Sequence, residues 1–466
     1  MSFEKGTEIE FEIIDISTEG QGVGRIDGMT VFTSRGKDNP VKAAPVYGDI
    51  VLAEIEENKK RFIKAKLKEI IKPSELRNTP SCDYTEECGG CTLQNMTYEG
   101  QLALKEKQVR DKYVRIAGIK DPKINAITGM DNPFRYRNKA QIAVGKGGAG
   151  FFSAKSHRVV DCKTCSINSR PAEVIADVVR EFMKSHHIPA YDRLTGKGLL
   201  RHVVVRTAFG TGEVMAVLVV NGKTIPDCEK LIQMMDDAVY AIEEAEYSLE
   251  SVVLNINTEK TSQVLGEKCI TIAGKPTILD TIGGMQFEIS PLSFYQVNSV
   301  QMEKLYNKVM EYANLTGHET ILDIYCGVGT IGLWCAAKAG KILGIESNRP
   351  AVIDANRNAV INGIVNVTYI CGQAEDELPT LAQNGLHADV IILDPPGAGC
   401  KRELLEAAAK TNATRIVYVT CDIATQSRDI KILKELGYEF IEATPVDMFP
   451  WSMSVEAVAL LQRADS

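Results

Sequence analysis

Two residues near the C-terminus state the chemistry of this chain most clearly. Cys421 closes the apolar run Ile416-Val-Tyr-Val-Thr-Cys-Asp422, and Glu456 ends Asp447-Met-Phe-Pro-Trp-Ser-Met-Ser-Val-Glu456, just before the apolar Val458–Leu461. A thiol at the C-terminal end of a buried strand, facing the crevice of an α/β sheet, is placed for nucleophilic attack. Such a thiol and a carboxylate suit substitution at C5 of a pyrimidine. That carbon is too weak a nucleophile to attack a sulfonium methyl unaided. A thiolate adding at C6 turns the ring into an enolate, and a base then removes the C5 proton so that the thiol can leave. Taken singly, Cys421 reads better as a buried cysteine packing as a small hydrophobe, and Glu456 as a surface carboxylate. Their order after Asp394 promotes both.

A crevice for that pair is written upstream. Thr320-Ile-Leu-Asp-Ile-Tyr-Cys-Gly-Val-Gly-Thr-Ile-Gly332 reads as a buried strand, a glycine turn and a helix start. Glycines let the backbone approach a cofactor, and an acid ~20 residues on, here Glu346, can accept hydrogen bonds from ribose hydroxyls. A nicotinamide dehydrogenase would carry G-x-G-x-x-G directly after its strand. Here Asp323 and Tyr325 precede Gly327-Val-Gly329, a pattern similar to that of the S-adenosylmethionine methyltransferases. The bland alternative is a tight turn in an unrelated α/β unit. Further on, Asp389-Val-Ile-Ile-Leu-Asp394 is an apolar strand ending in a carboxylate, and Pro395-Pro396 stiffen the turn after it. Gly397 stands where an amine-methylating enzyme places an aromatic to stack the base, which speaks against an exocyclic amine target.

A second constellation is Cys82-x5-Cys88-Gly-Gly-Cys91, three thiols within ten residues around a glycine pair that permits a sharp turn. A fourth is available from Cys162 or Cys165. Four thiolates suit zinc or an iron–sulfur cluster. The 12 cysteines lie in a chain without a secretion signal, where thiols stay reduced, so ligands and a catalyst are expected rather than disulfides.

The elements that must position these groups follow from pattern. At 466 residues the chain exceeds the ~100–200 residues of one domain, and two to four are expected. Its 44% hydrophobic and 24% charged residues are those of a soluble globular protein. No apolar run approaches the ~20 residues of a membrane span, so a cytoplasmic protein is expected. The strand candidates Ile9–Ile16, Met29–Phe32, Asp49–Glu57 and Arg61–Ile71 suggest a small barrel of the oligonucleotide-binding type. A helix over Tyr98–Ile116 follows the first cysteines, then a mixed region, and from Phe294 onward strands alternate with helices as in a parallel α/β sheet. The net charge of −8 excludes a wholly basic nucleic-acid coat, but charge is uneven. Residues 59–68 hold six basic side chains and no acid, and 132–170 hold eight against one acid, Asp161. Arg135 and Arg137 alternate as on one strand face, suited to RNA phosphates; a plain solvated face reads as well.

With these residues the chain resembles the RNA (uracil-5-)-methyltransferase family, most closely the branch that modifies 23S ribosomal RNA. The resemblance covers nearly the whole chain and implies a multidomain fold. An N-terminal OB-like β-barrel of the TRAM type would span 1–72. An α+β central region with the iron–sulfur segment would span 73–280, its helix at 98–117 packing on the catalytic domain. A C-terminal α/β Rossmann-like methyltransferase domain would span 281–466. The resemblance also implies Cys421 as nucleophile and Glu456 as base. It implies S-adenosylmethionine contacts from Gln296 (in Ser293-Phe-Tyr-Gln-Val-Asn298), Tyr325, Glu346 and Asp394, with Gln373 beside the adenine. It favours Cys165 as the fourth thiolate of a [4Fe–4S] cluster with Cys82, Cys88 and Cys91. Two departures are visible: the family's arginine soon after Asp-Pro is missing, and Trp451 and Ser454 stand where histidines are frequent. The expected activity is methylation of C5 of a uridine in 23S ribosomal RNA, with no membrane and no obligate protein partner. Three rivals remain. A cytosine-5 RNA methyltransferase would need a second cysteine beside Asp-Pro, where Gly397 stands. A transfer-RNA uridine-5-methyltransferase belongs to a branch that typically lacks the barrel and cysteine cluster. An iron–sulfur RNA-binding or redox-sensing module would carry a vestigial methyltransferase domain.

Overall fold

The structure, a computed structural model, describes residues 3–34, 44–154 and 156–464; Met1, Ser2 and positions 35–43 of the expected barrel, Lys155 of the basic stretch and the last two residues lie outside that description. Near the N-terminus, alternating sequences such as Glu-Ile-Glu-Phe-Glu (Glu8–Glu12) bury every second side chain. Glu8–Glu12 pairs with Ile50–Asn58, and after two residues Asp15–Ile16 pairs with Gly22–Ile26 on the other side. The neighbours Ile13 and Ile14 donate in opposite directions, to Asp49 O and Val23 O, each at 2.8 Å. The bent first strand thus serves both edges of the sheet and closes it around Ile13, Val31, Val51, Ile63 and Leu67.

The central region is a seven-stranded sheet with its middle at Leu200–Thr207 and Glu213–Val220. In Glu213–Val220 alternate residues serve two cores. Val214, Ala216, Leu218 and Val220 face the helices Arg170–Ser185 and Cys228–Tyr240, whereas Met215, Val217 and Val219 join the core of the C-terminal unit. The hairpin Ile278–Ile282/Met285–Ile289 lies in that shared core and spans residue 280.

The C-terminal sheet has the spatial order Val367–Cys371, Lys341–Glu346, Thr320–Ile324, Val390–Leu393, Arg415–Thr420, Glu456–Arg463, Tyr438–Val446. The first five strands are parallel, and Glu456–Arg463 runs antiparallel to both its neighbours. Strand order reverses between Thr320–Ile324 and Val390–Leu393, which opens a crevice at the carboxyl ends of the strands. The helix Tyr98–Arg115 packs on this unit: Val109 and Tyr113 are fully buried in its core, and Tyr113 OH donates to Gln426 Oε1 at 2.5 Å. Among the described residues no helix is long and apolar enough to cross a membrane.

Candidate active site

A cavity of about 920 Å³ at the switch point is lined by Gln296, Tyr325, Glu346, Gln373, Asp394, Cys421 and Glu456. Sheet register explains why residues so far apart in sequence meet. Ile324 pairs with Ile345 on one side and Leu393 on the other, so Tyr325, Glu346 and Asp394 stand in one row just past the strand ends. Tyr325 adopts φ +64°, a left-handed conformation costly for a side chain with a Cβ, and its phenol donates to Glu375 Oε1 at 3.1 Å. Gly329, at φ +81°, starts the next helix, and a Cβ there would lie 2.3 Å from the Tyr369 hydroxyl. Glu346 is held from both sides: Gly327 N donates to Oε2 at 3.1 Å and Asn348 N to Oε1 at 2.6 Å. This carboxylate, facing a glycine turn, suits a ribose diol.

Across the crevice, Thr420 pairs with Ala457, so Cys421 and Glu456 are the next facing positions of the antiparallel ladder. Glu456 is buried, and its carboxyl is pushed up to about 8 by loss of solvent and then by the Asp394 carboxylate. Burial raises Asp394 to about 6. Cys421 is exposed to the cavity, and its thiol is raised by burial first, then by Glu456 and Asp394. Behind them Asp323 is fully buried, accepts from Gly332 N at 2.9 Å and is raised to about 7, chiefly by burial. The site can therefore hold a protonated carboxyl and thiol side by side near neutrality, ready to exchange protons with a substrate ring.

Gln296 is buried on the segment before the helix Ser299–Ala313, and its carbonyl accepts from Asn138 Nδ2 at 2.8 Å. Other lining residues had no motif to announce them. Arg428 lies seven residues beyond Cys421 on the helix Ile423–Glu435; its Nη2 donates to Ala398 O at 3.0 Å and Cys400 O at 3.2 Å. It thereby reaches the loop after Asp394-Pro395, which carries no arginine of its own. Glu375 is visible only as an acid in a helix's first turn.

A separate cavity of about 320 Å³ is lined by Cys82, Cys88, Cys91, Cys162 and Cys165, with Arg137 and Lys139 in its wall. Gly89 makes a close approach there: its N donates to Phe152 O at 3.0 Å, and an added Cβ would lie 3.0 Å from Ala154 backbone. Gly90 N donates to Cys88 Sγ at 3.4 Å, and Asn168 Nδ2 to Cys165 Sγ at 3.1 Å. The Cys162 thiol beside Cys88 holds the Cys88 thiol below its ordinary range. Among the described residues no group of three or more His, Cys, Asp or Glu is arranged to hold a single metal ion; the thiols ring the cavity instead. Arg135 and Arg137 are not on a strand, which begins at Lys139. Arg135, at φ +51°, pairs with the buried Glu173 at 3.0 Å, and its backbone N donates to Ser166 O at 2.8 Å.

A sheet of this order, with a glycine turn, an acid facing that turn and an open switch point, is the frame of the S-adenosylmethionine-dependent methyltransferases. The family model described as tRNA (uracil-5-)-methyltransferase matches residues 279–464. A protein of Caldanaerobacter subterraneus subsp. tengcongensis described as an uncharacterized RNA methyltransferase is 46% identical over 98% of both chains, and one of Clostridium tetani with the same description is 40% identical over 98% of this chain and 96% of its own. The crystal structure of Pyrococcus abyssi tRNA (uracil-54, C5)-methyltransferase in complex with S-adenosyl-L-homocysteine superposes with a TM-score of 0.76 at 27% identity, covering 97% of this chain and 100% of that one. The chain belongs to the RNA (uracil-5-)-methyltransferase family. It is an S-adenosylmethionine-dependent enzyme of that class.

Proposed function

We propose that this enzyme methylates C5 of a uridine in 23S ribosomal RNA through a covalent adduct at Cys421. The observation that carries the reading is the facing of Cys421 and Glu456 across one ladder at the mouth of a crevice lined by Gln296, Tyr325, Glu346 and Asp394. Cys421, having lost its thiol proton to solvent, adds as the thiolate to C6, and the ring becomes an enolate. C5 then takes the methyl group as the sulfonium bond breaks. Glu456 removes the C5 proton, and the electron pair expels the Cys421 thiolate to restore the ring. A uracil in folded RNA hides its C6 edge in the stack, so the base must be captured from a loop or turned out into the cavity. The decisive experiment substitutes 5-fluorouridine, whose fluorine cannot leave as a cation, and maps the trapped RNA–protein bond. Trapping that persists in Cys421→Ala would overturn the nucleophile.

The choice of 23S ribosomal RNA rests on the resemblance in cysteine spacing and N-terminal barrel to that branch. Transfer RNA is a second reading, favoured by one observation: the archaeal tRNA enzyme covers 97% of this chain, so the extent of the match does not separate the branches. Incubation with unmodified ribosomal and transfer RNA, followed by mass mapping of 5-methyluridine, discriminates the two.

The cysteine cavity supports a further part of the reading, a [4Fe–4S] cluster on Cys82, Cys88, Cys91 and Cys165. Thiols around a cavity, with N–H donors at two sulfurs and the basic side chains Arg137 and Lys139 in the wall, fit a bulky anionic centre better than one zinc ion. When bound, such a cluster supplies a cross-link between the two cysteine segments; methyl transfer proceeds from the other cavity. Iron and sulfide in stoichiometric amounts support it, and bound zinc without iron would refute it.

A further inference from the structure

The nine residues between the last two strands, Asp447–Val455, lead directly into Glu456, and their first five are anchored one after another by parts of the chain outside the methyltransferase sheet. Lys105 Nζ donates to Asp447 Oδ1 at 2.6 Å and to Phe449 O at 3.0 Å. Tyr98 OH donates to Asp447 Oδ2 at 2.8 Å. Asn298 Nδ2 holds Met448 O at 3.1 Å, and Tyr136 OH holds Pro450 O at 3.0 Å. Trp451 N donates to Gln101 Oε1 at 3.0 Å, and its carbonyl accepts from both Thr92 N and Leu93 N, each at 3.0 Å. Trp451 is itself held at φ +69°.

Three of the anchors, Tyr98, Gln101 and Lys105, recur at helical spacing and form one stripe of the helix Tyr98–Arg115. The Lys105–Asp447 pair is fully buried on both sides. A buried ion pair is weak evidence for stability, since an apolar pair of similar volume can serve as well; its attested use is to select one register. The register at stake is identifiable. Val446 is the cross-strand partner of Glu456, and Asp447 is the next residue. The pair therefore pins the outer strand at the rung that carries the carboxylate, while Cys421 faces the same carboxylate from the inner strand.

We propose that Lys105, with Tyr98 and Gln101, is a positioning residue for methyl transfer: by clamping Asp447, Phe449 and Trp451 it holds Glu456 where the C5 proton is removed, so a helix outside the catalytic sheet sets the rate of that step. The inference rests on the covalent reading above. It predicts a specific lesion, because loss of the clamp leaves Cys421 and the cofactor cavity intact and slows only resolution of the adduct.

The test uses the purified full-length enzyme with unmodified RNA and S-adenosylmethionine, following adduct on denaturing gels and 5-methyluridine release. Glu456→Gln is the reference and should accumulate adduct. Lys105→Met combined with Asp447→Leu removes both charges together, and Tyr98→Phe deletes one hydroxyl without changing shape. Both are expected to bind S-adenosylhomocysteine as tightly as the native enzyme and to form adduct at a similar rate. Resolution should slow by at least about tenfold in the double variant and about threefold in Tyr98→Phe, the order expected of a misplaced catalytic group. If the double variant does not fold, Tyr98→Phe decides alone. Native resolution rates in Tyr98→Phe beside an adduct-accumulating Glu456→Gln would overturn the positioning role. A Glu456→Gln enzyme that accumulates no adduct would overturn the covalent reading itself, and this proposal with it.

Discussion

Cys421 and Glu456 face each other across an antiparallel ladder, one rung beyond the pair Thr420–Ala457. Thirty-five positions separate them in the sequence, yet the backbone alone brings them to one spot, because the last strand is inserted between Arg415–Thr420 and Tyr438–Val446. Burial raises the carboxyl of Glu456 and the thiol of Cys421, and Asp394, from the next strand inward and lining the same cavity, adds to both shifts.

Removal of the thiol should abolish methyl transfer while leaving the cofactor cavity unaltered. Cys421→Ala is expected to bind S-adenosylhomocysteine within about twofold of the native enzyme by calorimetry, a difference of under ~0.5 kcal/mol. Its 5-methyluridine formation should fall below detection. Residual turnover would point to another nucleophile.

The raised carboxyl of Glu456 makes stability depend on pH. Its folded value, about 8, lies above the ordinary 4.5, so folding favours the neutral form. Below about pH 4.5 the group is protonated folded and unfolded, and costs nothing. As pH rises toward 8 the unfolded chain ionises freely while the folded one resists, and stability is lost, on the order of 5 kcal/mol in full. Glu456→Gln should therefore match the native melting temperature near pH 4.5 and exceed it increasingly up to pH 8. The pH profile of kcat/KM, which reports groups of the free enzyme, should in turn rise through about 8. A melting difference independent of pH would remove the basis for both expectations.

Glu346 is held by two backbone N–H groups and turned to the glycine loop. Glu346→Ala is expected to weaken S-adenosylhomocysteine by about 1.5–3 kcal/mol, the range for hydrogen bonds to a charged group, with RNA affinity unchanged. Equal loss for both ligands would indicate a collapsed glycine turn rather than a lost ribose contact.

The cysteine cavity meets the catalytic unit in one apolar cluster: Cys91 and Cys165 pack against the group Met130, Tyr136, Ile167 and Trp451, and Trp451 Nε1 donates to Pro133 O at 2.8 Å. Cys91→Ala should lose iron and sulfide and lower the melting temperature at every pH. Iron retained in full would exclude Cys91 as a ligand.

Legibility varied with the range of the interaction. The glycine turn, Glu346 and Asp394-Pro395-Pro396 were readable because each is a local strand-to-turn signal. The first strand, expected unbroken over Ile9–Ile16, bends at Ile13–Ile14, a break visible only in the two directions of their hydrogen bonds. Arg135 and Arg137 alternate in sequence like a strand face, but Arg135 is turned by a left-handed backbone to a buried glutamate. Arg428 and the anchors Lys105 and Gln101 gave no signal, since each acts on a segment hundreds of residues away or on a loop with no motif for it.

The amino-acid order by itself determined the chemical inventory: a strand-end thiol, a carboxylate before an apolar strand, a cofactor turn and a set of clustered cysteines. Side-chain chemistry and strand periodicity are local properties, so they survive in a linear reading. Only the tertiary structure decided that the final strand runs antiparallel between two others. That reversal sets Cys421 against Glu456 and buries the carboxylate deeply enough to raise it, and it brings a helix from the cysteine-rich region to hold the loop before it.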